Sequence, residues 1–191
     1  TALVHDLDYR GPQVLREAVL TACEGATLPA HFNRAIDLGC GTGLAAREFA
    51  SLVDEFIGVD LSPGMIEQAR ATGLYARLDV IDMLQGLRGE SDASAALIIA
   101  ADAFVYVPDL RDLLRESARV LIPRGLLAFT VETHSGDGVV LGRGLRYAHS
   151  ADDMRDAVSG VGLKLFAMTP VSTRTEAGKA VPGLVVTAGK A

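Results

Sequence analysis

Ala35-Ile36-Asp37-Leu38-Gly39-Cys40-Gly41-Thr42-Gly43-Leu44 decides the reading of this chain. Ile36 and Leu38 read as the apolar end of a buried strand. Gly39, Gly41 and Gly43 let the backbone turn tightly and approach a ligand, because no Cβ intrudes. Leu44 to Ala50 then opens a helix whose free N–H groups face the turn. A dinucleotide fingerprint needs Gly-x-Gly-x-x-Gly, with a pyrophosphate at the helix start. Here the spacing is Gly-x-Gly-x-Gly, Ala45 only approaches the packing glycine, and Asp37 would repel a pyrophosphate. A carboxylate at that strand end suits an amino group instead. Phe56-Ile57-Gly58-Val59-Asp60 is a second short apolar strand ending in an acid. Asp60 follows the turn at close to the roughly 20-residue offset at which an acid bonds a ribose diol. The ligand so described has a ribose, a cationic amine and no phosphate.

The two stretches, continued by Leu61-Ser62-Pro63-Gly64-Met65, resemble the first two motifs of class I S-adenosylmethionine-dependent methyltransferases. S-adenosyl-L-methionine fits the ligand deduced from the residues. The resemblance covers almost all of Arg34 to Lys190. It implies a Rossmann-like methyltransferase fold, α/β and doubly wound. That fold is a three-layer α/β/α arrangement with a mostly parallel seven-stranded sheet whose last strand is antiparallel. Residues 1–33 are expected to form an N-terminal capping segment and helix. Residues 34–191 are expected to form the cofactor-binding domain, with a hairpin insertion at 133–149.

The 191 residues suit one domain, and 49% hydrophobic content is enough for a sizeable core. A formal net charge of −6, with no block of like charges, argues against a nucleic-acid substrate. Cys23 and Cys40 are far apart without metal-ligand spacing, so no metal is expected and a reduced cytoplasmic setting is the default. The longest wholly apolar run, Ala95 to Ala101, is well below the ~18 residues of a membrane helix. No signal peptide is visible, and no Met stands at Thr1, so an upstream lid or domain is left open. A small-molecule acceptor and a monomer or homodimer are the expected partners.

Strand and helix alternate along the chain. Gly11-Pro12 opens a helix with Val14, Leu15, Ala18, Val19 and Ala22 on one stripe. Ser62 caps a helix with Pro63 at its first position and Met65, Ile66 and Ala69 inward. Leu74 to Val80 is a third strand, and Ala95 to Ala101 reads as a central parallel strand. Asp109 to Leu121 is a helix, and Pro123-Arg124-Gly125 turns the chain into Leu126 to Glu132. Val139-Val140-Leu141 and Leu145-Arg146-Tyr147 flank Gly142-Arg143-Gly144 as a small hairpin. Ser150 caps the next helix. Leu163 to Met168 and Leu184 to Val186 then pair as antiparallel strands across a turn-rich link.

In open α/β sheets the ligand lies beyond the carboxyl ends of the strands. Gly39, Cys40, Gly41 and Gly43 are expected along the methionine part, with Asp37 on its amino group. Asp60 is expected to accept from both ribose hydroxyls. Leu61 and Met65 are expected on the adenine face, Asp82 on the adenine amine and Met83 beside the ring. The resemblance implies a backbone carbonyl on the cofactor around Ala100, Ala101 and Asp102. Asp102 is either a substrate contact or a helix-start acid. Tyr106 lies in the loop over the transferring methyl and either lines the pocket or packs. His134 and His149 flank the hairpin, and either could take a proton from the acceptor. Glu132 is a further candidate, whereas His31 lies at the far edge and His5 in the N-terminal stretch. Cys40 lacks the neighbouring base that a catalytic thiol needs.

Leu145-Arg146-Tyr147-Ala148-His149-Ser150, with Asp8-Tyr9-Arg10-Gly11-Pro12, resembles a bacterial group of small-molecule-type methyltransferases often joined to tetratricopeptide repeats. Two other classes stay open: a nicotinamide-dependent reductase, which the glycine spacing and Asp37 oppose, and a cofactor-binding module without catalysis.

Overall fold

The computed structural model describes residues 9–191. His5 and Asp8 therefore lie outside the described residues. Helix α1 (Gly11–Gly25) has Pro12 in its first turn, where the missing N–H costs nothing. Strand β1 (Phe32–Leu38) leads through the glycine turn into α2 (Leu44–Phe49), a helix of 6 residues. Strand β2 (Val53–Asp60) is followed by α3 (Pro63–Ala71), which Ser62 caps by accepting from the Met65 N–H. Next come β3 (Tyr75–Val80), α4 (Met83–Arg88), β4 (Ala95–Ala100) and a single 3-10 turn at Phe104–Tyr106. Helix α5 (Arg111–Val120) precedes β5 (Leu121–Thr133), which continues through a kink where Arg124 has φ 64.

The rest of the chain departs from the parallel rhythm. Strands β6 (Val139–Leu141) and β7 (Tyr147–His149) form an antiparallel pair, and β7 joins the end of β5 in parallel. Helix α6 (Ala151–Gly160) starts at Ser150, whose hydroxyl accepts from the Asp153 N–H. Strand β8 (Lys164–Val171), a short hairpin of β9 (Thr175–Glu176) and β10 (Lys179–Ala180), and β11 (Gly183–Gly189) complete the chain.

The main sheet runs β3-β2-β1-β4-β5-β11-β8. Its central pairs are parallel, and β11 is antiparallel to both β5 and β8. The Rossmann-like, three-layer arrangement is the one expected. All six residues of β4, Ala-Ala-Leu-Ile-Ile-Ala, are buried, as a strand covered on both faces requires. On one face Ile36, Leu38, Ile98 and Phe129 pack with Leu113 and Leu114 of α5 and Met154 and Val158 of α6. On the other, Ala35, Leu97, Ile99 and Ala128 pack with Leu15 and Val19 of α1 and Phe49 of α2. The strand order reverses between β1 and β4, and that switch point opens a crevice at the carboxyl edge.

Two elements escape the sequence reading. Helix α4 occupies a stretch where a helix of 6 residues with an internal Gly86 leaves no periodic signal. The β9–β10 hairpin lies inside the segment expected to be a plain link. The hairpin strand expected at Leu145 to Tyr147 sits two residues later, because a 3-10 turn at Arg143–Leu145 takes up the chain first. Among the described residues no helix is long and apolar enough to cross a membrane.

Candidate active site

Asp37, Gly39, Cys40 and Gly41 bring the carboxyl end of β1 into a crevice of about 270 Å³. Ala101, Asp102 and Tyr106 close it from the end of β4, Met65 from α3, Thr42, Leu44 and Ala45 from the start of α2, and Tyr9 and Pro12 from the start of α1. Gly39 has φ 67, and a Cβ there would stand 2.6 Å from the Ala103 Cβ. Gly41 has φ 53 but faces open space, so its backbone is the part of the turn that a ligand can approach.

Asp37 is 1% exposed, and the Tyr75 hydroxyl on β3 donates to its Oδ2 at 2.6 Å. Burial pushes its pKa up to about 7, with the Asp60 charge adding and the Tyr75 hydrogen bond opposing. A buried carboxylate with one neutral donor is short of positive charge, and an ammonium ligand would supply it. Asp60 is held at both oxygens: Oδ2 accepts from the Gly41 N–H at 2.9 Å and Oδ1 from the Ser62 N–H at 2.8 Å. Each oxygen retains a second lone pair for a hydroxyl. The residues present thus fit an amine-bearing, ribose-bearing molecule. Burial first, then the Asp37 and Asp60 charges, raise the Cys40 thiol pKa. That thiol stays protonated and is no nucleophile.

The remaining candidates are placed less uniformly. Gly43 ends the turn as the left-handed residue before α2 and does not line the crevice. Leu61 is 70% exposed and also outside the lining. Asp82 caps α4, accepting from the Leu84 and Gln85 N–H groups through Oδ1. Met83 is half-buried against the core, its sulfur beneath Gly39.

The two histidines lie apart from the crevice lining. His149, the last residue of β7, is 0% exposed, with Nε2 donating to the Val107 carbonyl at 3.2 Å, so its ring is enclosed rather than open to an acceptor. His134 spends both ring nitrogens in its own turn: Nδ1 accepts from the Gly136 N–H at 3.1 Å and Nε2 donates to the Gly138 carbonyl at 3.0 Å. Neither lines the crevice. Tyr106 does, and it is 59% exposed.

Sequence reasoning missed Arg146 as a site residue. This buried arginine, placed just before β7, donates from Nε to Glu132, from Nη1 to the Tyr106 hydroxyl at 2.9 Å, and from Nη2 to Asp102 Oδ1. Tyr75 and Tyr9 were missed as well. The only signal for Arg146 and Tyr9 was that both fall in the two short segments likened to the repeat-linked group.

Residues 36–129 match the family described as Methyltransferase domain. Methyltransferase-like protein 27 of Homo sapiens is 32% identical over 168 residues, which is 84% of this chain and 61% of that protein. Ubiquinone biosynthesis O-methyltransferase of Xanthomonas oryzae pv. oryzae is 31% identical over 97 residues, 49% of this chain and 41% of that protein. The chain thus spans about half the length of these curated relatives. The crystal structure of Burkholderia thailandensis 1,6-didemethyltoxoflavin-N1-methyltransferase, with bound 1,6-didemethyltoxoflavin and S-adenosylhomocysteine, superposes with a TM-score of 0.70 at 17% identity. That superposition covers 92% of this chain and 77% of that one. The fold is therefore the Rossmann-like fold of cofactor-binding methyltransferases. Residues 36–129 thus carry a methyltransferase domain, and the chain is similar to class I S-adenosylmethionine-dependent methyltransferases, whose cofactor is S-adenosyl-L-methionine.

Proposed function

We propose that this chain transfers a methyl group from S-adenosyl-L-methionine to a small-molecule acceptor by in-line displacement. The observation that carries the reading is the convergence of Asp37, the open Gly41 backbone and a pre-oriented Asp60 at the switch point of the sheet. When bound, the cofactor supplies an already activated methyl group on a cationic sulfur. The chain's own residues then bind, align and exclude water.

In this reading Asp37 accepts from the cofactor's amino group and Asp60 from the ribose hydroxyls. Gly39, Cys40, Gly41 and Gly43 shape the turn along the methionine part. Leu61 and Met65 cover the adenine, the free oxygen of Asp82 accepts from its amine, Met83 flanks it, and the Ala101 carbonyl lies near the sulfur. Tyr106 stands on the acceptor side.

A small acceptor is supported by the crevice, which lies near the lower end of small-ligand pockets. The net charge of −6, with no block of like charges in the sequence, argues against a nucleic-acid substrate. The named neighbours act on small molecules through oxygen in one case and nitrogen in another, and both atoms stay open here.

Incubating the protein with labelled S-adenosylmethionine and a metabolite panel tests the activity. Formation of S-adenosylhomocysteine with one or more acceptors supports it. Cofactor binding without turnover across the panel favours the non-catalytic module.

A further inference from the structure

The acceptor side of the crevice carries a side chain whose geometry is fixed from three directions. Asp102 has φ 55, a conformation costly for a residue with a Cβ and one that clusters where structure is held for function. Its N–H donates to the Thr130 hydroxyl at 2.8 Å, which fixes the backbone. Its Oδ1 accepts from Arg146. Among the described residues Oδ2 has no hydrogen-bond partner, although Asp102 lines the crevice and its side chain is 21% exposed.

Arg146 has no charge to spare for an acceptor. Its three nitrogens serve Glu132, Tyr106 and Asp102, and its guanidinium lies 5.1 Å from the centre of the Tyr106 ring. Glu132 is in turn shared with Arg174 at 2.9 Å. Because the Tyr106 oxygen accepts from Arg146, its own proton points elsewhere. Among the described residues no Lys, Arg or His lines the crevice.

We propose that Asp102 is the catalytic carboxylate that receives the proton of an O–H or N–H acceptor, and that Arg146 is the positioning residue that aims it. The inference rests on the methyltransferase reading and narrows its acceptor class to protic nucleophiles. The acceptor's lone pair forms the new bond to the methyl carbon. The carbon–sulfur bond breaks with its electron pair left on sulfur, and the acceptor's proton passes to Asp102 Oδ2. Burial raises the pKa of Asp102 above the ordinary carboxylate value against the pull of Arg146, which makes it a better base.

Phenol and its methyl ether anisole, titrated into the protein saturated with S-adenosylhomocysteine, test this by calorimetry without any knowledge of the natural acceptor. The wild type is expected to bind phenol about fivefold more tightly than anisole, the scale of one net hydrogen bond. In Asp102→Asn, Arg146 keeps the amide oxygen and the NH₂ group faces the crevice, where it donates to either oxygen, so the preference is lost. Arg146→Gln brings the ratio to about one, and Arg146→Lys, which keeps the charge but not the three-way fork, recovers it only in part. Equal affinities in the wild type, no binding of phenol, or an unchanged preference in Asp102→Asn overturns the proposal. Arg146→Gln can fail to fold, since it leaves Glu132 and Asp102 without their cation, and the wild-type ratio and Asp102→Asn then decide alone. Failure of the wild type to bind S-adenosylhomocysteine at all is the separate failure of the methyltransferase reading.

Discussion

The Tyr75 hydroxyl donates to Asp37 Oδ2 at 2.6 Å across β1 and β3, strands that do not pair with each other. The ring reaches past Gly58 of the intervening β2, where a Cβ would stand 2.7 Å from its Cε1. One tyrosine therefore sets the acidity of the carboxylate on which the proposed cofactor site turns. Burial holds the Asp37 pKa at about 7, and without the tyrosine it would stand higher. A cationic amine requires the ionised form, whose share of Asp37 grows about fivefold between pH 6 and pH 7. Affinity for S-adenosylmethionine should rise by that factor, and Tyr75→Phe should move the rise to higher pH. Calorimetry across that range, with Asp37→Asn as the flat control, checks both.

In the unliganded protein the same group acts with the opposite sign. Asp37 binds its proton more tightly folded than unfolded, so its contribution to stability is complete below its unfolded pKa of 3.8. It is lost as pH rises to about 7. Asp37→Asn should remove this loss, so the variant gains on the wild type as pH rises. Urea unfolding at several pH values measures the difference.

Asp60→Ala should weaken S-adenosylmethionine binding by about 1–3 kcal/mol, the scale of hydrogen bonds to a charged group. The variant also frees the Gly41 and Ser62 N–H groups that hold the turn. Unchanged affinity by calorimetry would remove Asp60 from the site.

His149 makes an acid-side prediction. Burial lowers its pKa from 6.5 despite the pull of Asp153, whose Oδ2 lies 3.7 Å from Nδ1. The folded state therefore binds this proton less well than the unfolded state. Its contribution is present above pH 6.5 and is lost as pH falls through the folded pKa. The stability difference between wild type and His149→Gln should shrink below that pH, and a constant difference would contradict the burial argument.

The glycine turn makes a prediction of contrast. Gly39→Ala combines a left-handed φ of 67 with a 2.6 Å approach to Ala103, whereas Gly41→Ala meets only the backbone cost. Stability should fall by about 1 kcal/mol for Gly41→Ala and by about 2–4 kcal/mol for Gly39→Ala. Chemical denaturation distinguishes the two.

Local signals carried most of the fold. The apolar run of β4, the caps at Ser62 and Ser150, and the glycine turn each declare themselves within a few residues, and the structure has each where the sequence put it. What the sequence hid is long-range. Tyr75 finds Asp37 only through the registers of β1 on β2 and β2 on β3. Arg146 finds Asp102 and Tyr106 only after β7 closes on β5. Position along the chain puts both histidines at the carboxyl edge, but burial and turn geometry decide which way a ring faces. Asp82 is ambiguous in kind, since one carboxylate can cap α4 and still offer an oxygen to a ligand.

In the proposed site an acidic strand end, an open glycine turn and a second fixed acid together hold an amine-bearing sulfonium nucleoside. Titration calorimetry with S-adenosylmethionine, S-adenosylhomocysteine and NADH, on the wild type and Asp60→Ala, tests it most directly. Saturable binding of the first two, weakened in the variant, and none of NADH is expected. Binding of NADH with neither of the others would contradict it.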